Sequence, residues 1–170
     1  MDTNILKPCD ILLYKGKGFQ SWLIQWGTKS PYSHVAVVVA SEKALTIESN
    51  VGHQAGVRAF DLRKIPDDEV DTFRVKPGSL FDSNKVISFL VAHLGAGFDW
   101  LGVSWLGVLK VLQLKKQANE FQKEKDYFCS ELTYEAFKEA GLDIVPQIGD
   151  AETTSPGDIA RSPLISKVSN

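Results

Sequence analysis

The run Ser33-His34-Val35-Ala36-Val37-Val38-Val39 limits the fold more than any other stretch of this chain. Its β-branched residues favour an extended strand over a helix. Ser41-Glu42-Lys43 follows as a turn, and Ala44 to Ser49 returns as a second strand. Side chains alternate along a strand, so Val35, Val37 and Val39 share one face and His34, Ala36 and Val38 take the other. Leu45 and Ile47 must join the valines for the core to be continuous. Ala44, Thr46 and Glu48 then fall on the face of His34. A three-residue loop pairs Val38 with Thr46 and Ala36 with Glu48, which leaves Glu48 diagonal to His34 and within reach of it. A four-residue loop would put the two on opposite faces. The hydrophobic pattern thus predicts a His–Glu pair on the less apolar face of a sheet. The competing reading is a strand-edge histidine and a solvated glutamate.

Other strands are expected at Asp10–Lys15, Val57–Phe60 and Val70–Lys76, with Gly16-Lys17-Gly18 closing the first. Helical spacing places Phe19, Trp22, Leu23 and Trp26 on one face of a short helix over 19–26. A second helix starts at Asp82, with Val86, Leu90 and His93 on one face, and stops at Gly95-Ala96-Gly97. Phe98 to Leu114 is apolar almost all round, the pattern of a buried helix or of one that meets a lipid, a partner or an acyl chain. Lys115 to Lys125 reads as a charged connector. Asp126 to Gly141 reads as a helix with Leu132, Ala136, Phe137 and Ala140 repeating and Gly141 as its left-handed stop. Ile144-Val145-Pro146 and Ser155–Ala160 look like a tail laid on the body, the latter a helical turn. Strands and helices segregated in blocks argue for an α+β fold with an antiparallel sheet.

At 170 residues the chain is most simply one domain, residues 1–170, with a sizeable core. A formal net charge of −2 and no basic run give no reason to expect nucleic acid. The opening Met1-Asp2-Thr3-Asn4 lacks the pattern of a secretory signal, and no apolar run reaches the roughly 18 residues of a membrane span. Two cysteines, Cys9 and Cys129, make no disulfide framework. A reduced, cytoplasmic setting is the expectation, with no membrane span and no cofactor.

Cys129 falls in the first turn of its helix. There the dipole and the unpaired backbone N–H groups favour a thiolate, whereas a buried, inert cysteine is the plainer reading. A cysteine nucleophile needs a base, and the base an orienting group. Of the three histidines, His93 sits on the buried side of a helical pattern and reads as structural. His53 lies in a Gly-flanked loop, as a substrate contact or a solvated side chain. His34 with Glu48 supplies the base and its orienting carboxylate.

Pro8-Cys9-Asp10-Ile11-Leu12-Leu13-Tyr14, Tyr32-Ser33-His34-Val35-Ala36-Val37-Val38, Ile47-Glu48-Ser49 and Tyr127-Phe128-Cys129-Ser130-Glu131-Leu132 resemble, in order, the signature blocks of the circularly permuted papain-like enzymes. These are the YiiX/YaeF-like amidase branch of the NlpC-type peptidase superfamily. Gly97-Phe98-Asp99-Trp100 and Thr154–Ala160 resemble further blocks, so the likeness spans most of the chain. It implies a permuted papain-like fold, a small antiparallel sheet or half-barrel packed against helices. It also implies Cys129 as nucleophile, His34 as general base and Glu48 as orienting residue. The oxyanion would meet the Cys129 backbone N–H and a second donor, with Tyr14 and Tyr32 as candidates. Tyr14, Tyr32, His53 and Tyr127 are the candidate substrate-binding residues. Two positions depart from the family pattern: Cys9 replaces a glycine before Asp10, and Phe128 stands where a tyrosine is common.

The resemblance implies a thiol hydrolase forming an acyl-enzyme on Cys129, most simply an amidase or peptidase acting on a peptide, a cell-wall fragment or an acyl-amide. The alternative is a lipid acyltransferase or phospholipase of the lecithin:retinol acyltransferase type, with a lipid or acyl chain as partner. That group carries an Asn-Cys pair and a second histidine, where this chain has Phe128-Cys129 and Glu48. A non-catalytic binding protein is the third reading. A metal site drawn from Cys9, Cys129, His34 and His53 lacks the usual ligand spacing, and no metal is expected.

Overall fold

The valine strand and its returning partner form a hairpin as the alternation requires, but by a different turn. In the computed structural model, which describes residues 5–50, 55–64, 66, 69–97, 127–151 and 153–168, β2 (His34–Ala40) and β3 (Leu45–Asn50) are joined by four residues, not three. Ser41–Lys43 make a 3-10 turn, and Ala44 closes it in the left-handed conformation at φ 49°. The ladder then slips between Val38 and Ala40, a bulge that leaves Val39 without a partner. The extra loop residue and the bulge cancel. Val38 faces Thr46 and Val37 faces Ile47, the register expected of a three-residue loop.

β1 (Ile11–Tyr14) lies between β2 and β5 (Val70–Val75). β4 (Gly56–Asp61) pairs with β3, and β6 (Ile165–Lys167) with β5. The result is a six-stranded antiparallel sheet in the order β4-β3-β2-β1-β5-β6. β6 was not foreseen: three residues carry too little alternation to register as a strand.

Helices cover one face. α2 (Ser83–Ala92) is capped by Asp82, whose carboxylate accepts from the backbone N–H groups of Asn84 and Lys85. α3 (Cys129–Glu139) packs on α2, β2 and β3. Leu132, Ala136 and Phe137 of α3 join Val35, Val37, Ile47, Val86 and Leu90 in the main core, closed by Ile144, Val145 and Ile159 of the C-terminal segment. Each such fully buried aliphatic side chain contributes about 1.5–3 kcal/mol. Gly141, at φ 90°, ends α3 as expected, with its N–H on the Lys138 carbonyl. α4 (Pro156–Ala160) is the expected helical turn, capped by Ser155.

The other face of the sheet is also covered. Leu12, Tyr14, Ala36, Val38 and Val70 pack there with Leu6, Ala44 and Leu62 in a second, smaller core. This explains why β1 and much of β2 are buried without interruption. α1 (Phe19–Thr28) is different: none of its residues is buried. His93, expected in the core, is half-buried at the end of α2. Its Nδ1 donates to the Phe89 carbonyl at 2.8 Å and its ring stacks on Phe89.

Among the described residues no helix is long and apolar enough to cross a membrane. His53, the Phe98–Leu114 segment and the Lys115–Lys125 connector lie outside the described residues.

Candidate active site

Four neighbouring strands each give one side chain to a row across the second face of the sheet. Tyr14 on β1 pairs directly with His34 on β2, and Glu48 on β3 pairs directly with Arg58 on β4. The Val37–Ile47 register brings His34 and Glu48 together between them, with His34 Nε2 2.9 Å from Glu48 Oε2. The solvated glutamate is ruled out: Glu48 is 3% exposed.

A carboxylate so deeply buried must be matched by donors or it takes up a proton. Glu48 has them. Oε2 faces His34, while Oε1 accepts from Asn50 Nδ2 at 2.9 Å, Arg58 Nε at 3.1 Å and Arg58 Nη2 at 2.9 Å. Burial pushes the Glu48 pKa up, but the bond and charge of His34, with the bonds from Asn50 and Arg58, outweigh it and bring it down to about 2. His34 shows the converse. Burial lowers its pKa, and the charge and hydrogen bond of Cys129, with those of Glu48, carry it up to about 10.

Cys129 meets His34 because both are the first residues of their elements. Alternation puts His34 on the face away from α3, yet the start of β2 and the start of α3 meet, close enough for Cys129 to act on the pKa of the ring. With Nε2 committed to Glu48, Nδ1 is the nitrogen left for sulfur.

Several bonds hold the start of α3. Ser49 Oγ donates to the Tyr127 carbonyl at 2.5 Å, Ser130 Oγ to the Thr154 carbonyl at 2.7 Å, and the Phe128 N–H to Glu131 Oε2 at 3.2 Å. The first N–H to enter the helical ladder is that of Leu132, on the Phe128 carbonyl. The Cys129 N–H, at the head of the first turn, therefore has no acceptor inside the helix. The thiol is half-buried.

Sequence comparison yields nothing: no family model matches the chain, and no curated protein matches it. Structural comparison does. The chain is similar to the crystal structure of the metalloprotein yiiX from Escherichia coli O157:H7, of DUF1105, with a TM-score of 0.69 over 96% of each chain at 19% identity. The chain has a YiiX-like fold.

On this YiiX-like frame the remaining candidates separate. The Tyr14 hydroxyl is buried without a hydrogen-bond partner, and its ring lies 5.1 Å from that of His34. Burial, with the Glu48 charge close by, pushes its pKa up against the opposing pull of Arg58, so it stays an O–H donor. Tyr32 is placed elsewhere: its hydroxyl donates to Asp71 Oδ2 at 2.6 Å and its ring meets Phe73 edge-on. Tyr127 turns toward α2, against His93 and Phe89. It lines an open cleft of about 380 Å³ with Phe89, Glu131, Glu135, Lys138 and Asp150, and Cys129, His34 and Glu48 are not part of that lining.

Asn50 and Arg58 were missed in the sequence. The structure supplies what was lacking, the β3–β4 register: pairing Ile47 with Ala59 puts Arg58 directly opposite Glu48.

Proposed function

We propose that this protein is a thiol hydrolase that cleaves an amide through an acyl-enzyme on Cys129, on a circularly permuted papain-like frame. The observation that supports the reading is the bond from His34 to the buried Glu48 carboxylate, with Cys129 near enough to raise the His34 pKa. Sulfur attacks the amide carbonyl carbon and its proton resides on His34, with Glu48 stabilising the imidazolium. The carbonyl oxygen becomes the oxyanion, met by the Cys129 backbone N–H and, in this proposal, the Tyr14 hydroxyl. His34 then protonates the leaving nitrogen as the C–N bond breaks, giving a thioester. Water, losing a proton to His34, attacks that thioester and releases the acid, and the proton returns to sulfur.

Both cysteines of the chain are free, which fits the reduced, cytoplasmic setting we propose. The protein of similar fold is called a metalloprotein. Among the described residues here, no group of three His, Cys, Asp or Glu side chains is placed to hold a metal ion, and His34 and Glu48 already bond each other. The described residues do not fit a metal.

A second reading, acyl chemistry on a lipid, draws on α1. Phe19, Trp22 and Trp26 stack in sequence, at 6.0 and 6.2 Å, and are 74, 54 and 57% exposed. Such a ridge suits an acyl chain or lipid surface.

One experiment tests both readings. The protein is incubated with a short peptide amide or ester, or with a phospholipid, quenched in acid and weighed intact. The hydrolase reading expects an acyl adduct on Cys129 from the peptide, absent in Cys129→Ala. An adduct from phospholipid alone would favour the second reading, and none from either would reject both.

A further inference from the structure

The arginine–carboxylate pairs of this protein are not built alike. Arg74 forks across Asp10, Nε to Oδ1 and Nη2 to Oδ2, each at 2.7 Å. Arg63 forks across Asp61 in the same way, at 2.9 and 2.8 Å. This is the ordinary geometry, one N–H for each oxygen. Arg58 departs from it. Its Nε and Nη2 both converge on Oε1 of Glu48, where Asn50 also donates. Three donors crowd one oxygen, and among the described residues Oε2 is left to His34 alone.

We propose that Arg58 is a positioning residue: with Asn50 it saturates Oε1 of Glu48, so the carboxylate can offer the imidazole one oxygen in one orientation. This deepens the hydrolase reading and rests on it for its purpose. A free carboxylate has two equivalent oxygens and rotates between them. One pinned by three donors does not, and the ring it faces is fixed in tautomer and direction. Phe60 supports the arrangement, since it sits two residues along β4 on the same face and its ring centre lies 5.3 Å from the guanidinium carbon. The charged and titratable groups around Glu48 are accounted for by element: Tyr14 on β1, His34 on β2, Arg58 on β4, and Cys129 on α3 acting through His34. Asn50, on the strand of Glu48 itself, is neutral.

Nuclear magnetic resonance on the full chain tests the proposal without need of a substrate. Two signals are followed in wild type, Arg58→Met and Arg58→Lys: the His34 Nε2–H proton and the Glu48 carboxyl carbon through a pH titration. A pinned carboxylate predicts a resolved Nε2–H proton in wild type. In Arg58→Met that proton is lost to exchange, and the Glu48 midpoint rises by about one pH unit. Arg58→Lys keeps a cation but not the two convergent N–H groups, so it holds the midpoint low and still weakens the Nε2–H signal. A merely structural arginine would lower unfolding stability and move neither signal. Folded Arg58→Met with both signals unchanged overturns the proposal. If Arg58→Met does not fold, an unchanged Nε2–H signal in Arg58→Lys overturns it instead. Neither readout depends on turnover, so a missing acyl adduct would reject the hydrolase reading while leaving this test intact.

Discussion

Ser49 Oγ donates to the Tyr127 carbonyl at 2.5 Å, and that bond ties the Glu48 strand to the Cys129 helix. Ser49 and Glu48 are sequence neighbours with side chains on opposite faces of β3. One holds the imidazole and the other holds the backbone that leads into the thiol. Ser49→Ala leaves a carbonyl without its donor, which costs about 1–3 kcal/mol. Urea unfolding is expected to show that loss. Iodoacetamide labelling of Cys129 should slow too, because the start of α3 is no longer fixed relative to His34.

The two cysteines differ enough to be told apart by one reagent. Cys9 is 3% exposed, and burial, with Asp10 beside it, pushes its thiol up to about 12. Cys129 is half-buried and lies beside His34, whose pKa is carried up to about 10. Labelling at pH 6–7, read by peptide mass spectrometry, should modify Cys129 at least ~10-fold faster than Cys9. Comparable rates would count against the thiol reading.

Stability should depend on pH through His34, and the sign is fixed. Its folded pKa, about 10, lies above the unfolded value of roughly 6.5. The stabilisation is therefore fully present below about pH 6.5 and lost as pH rises toward about 10. Urea midpoints of wild type and His34→Gln should converge over that interval. A gap that stays constant or widens would show that His34 is not held cationic.

Asp10 and Arg74 serve as a control. Asp10 is 1% exposed, and Arg74 forks across it from β5. Arg74→Met strands a buried charge and should cost about 3–5 kcal/mol. The preference of iodoacetamide for Cys129 over Cys9 should survive while the protein remains folded. The pair supports the sheet, not the thiol.

Much of the site was legible because the sheet alternates. His34 and Glu48 share a face once Leu45 and Ile47 are required to join the valines. The helix that begins at Cys129 was readable from its apolar repeat and Gly141. The face of Tyr14 was not, because β1 is apolar at every position. The hairpin turn was not, because a four-residue loop and a bulge at Val39 cancel in register and leave the same pattern of faces. Arg58 was hidden for another reason. The strand holding it was visible, but its partner and offset depend on a loop whose length alone does not set the register. Cys9 follows a related logic: it adopts φ 69°, the left-handed conformation that a glycine takes without strain.

The most direct test of the account is the rate of Cys129 alkylation by iodoacetamide at pH 6, compared between wild type and His34→Ala. If the imidazolium beside the sulfur makes it reactive, the variant should be slower by about 10-fold or more while its circular dichroism is unchanged. Equal rates in two folded proteins would contradict the pairing of His34 with Cys129, and with it the proposed hydrolase.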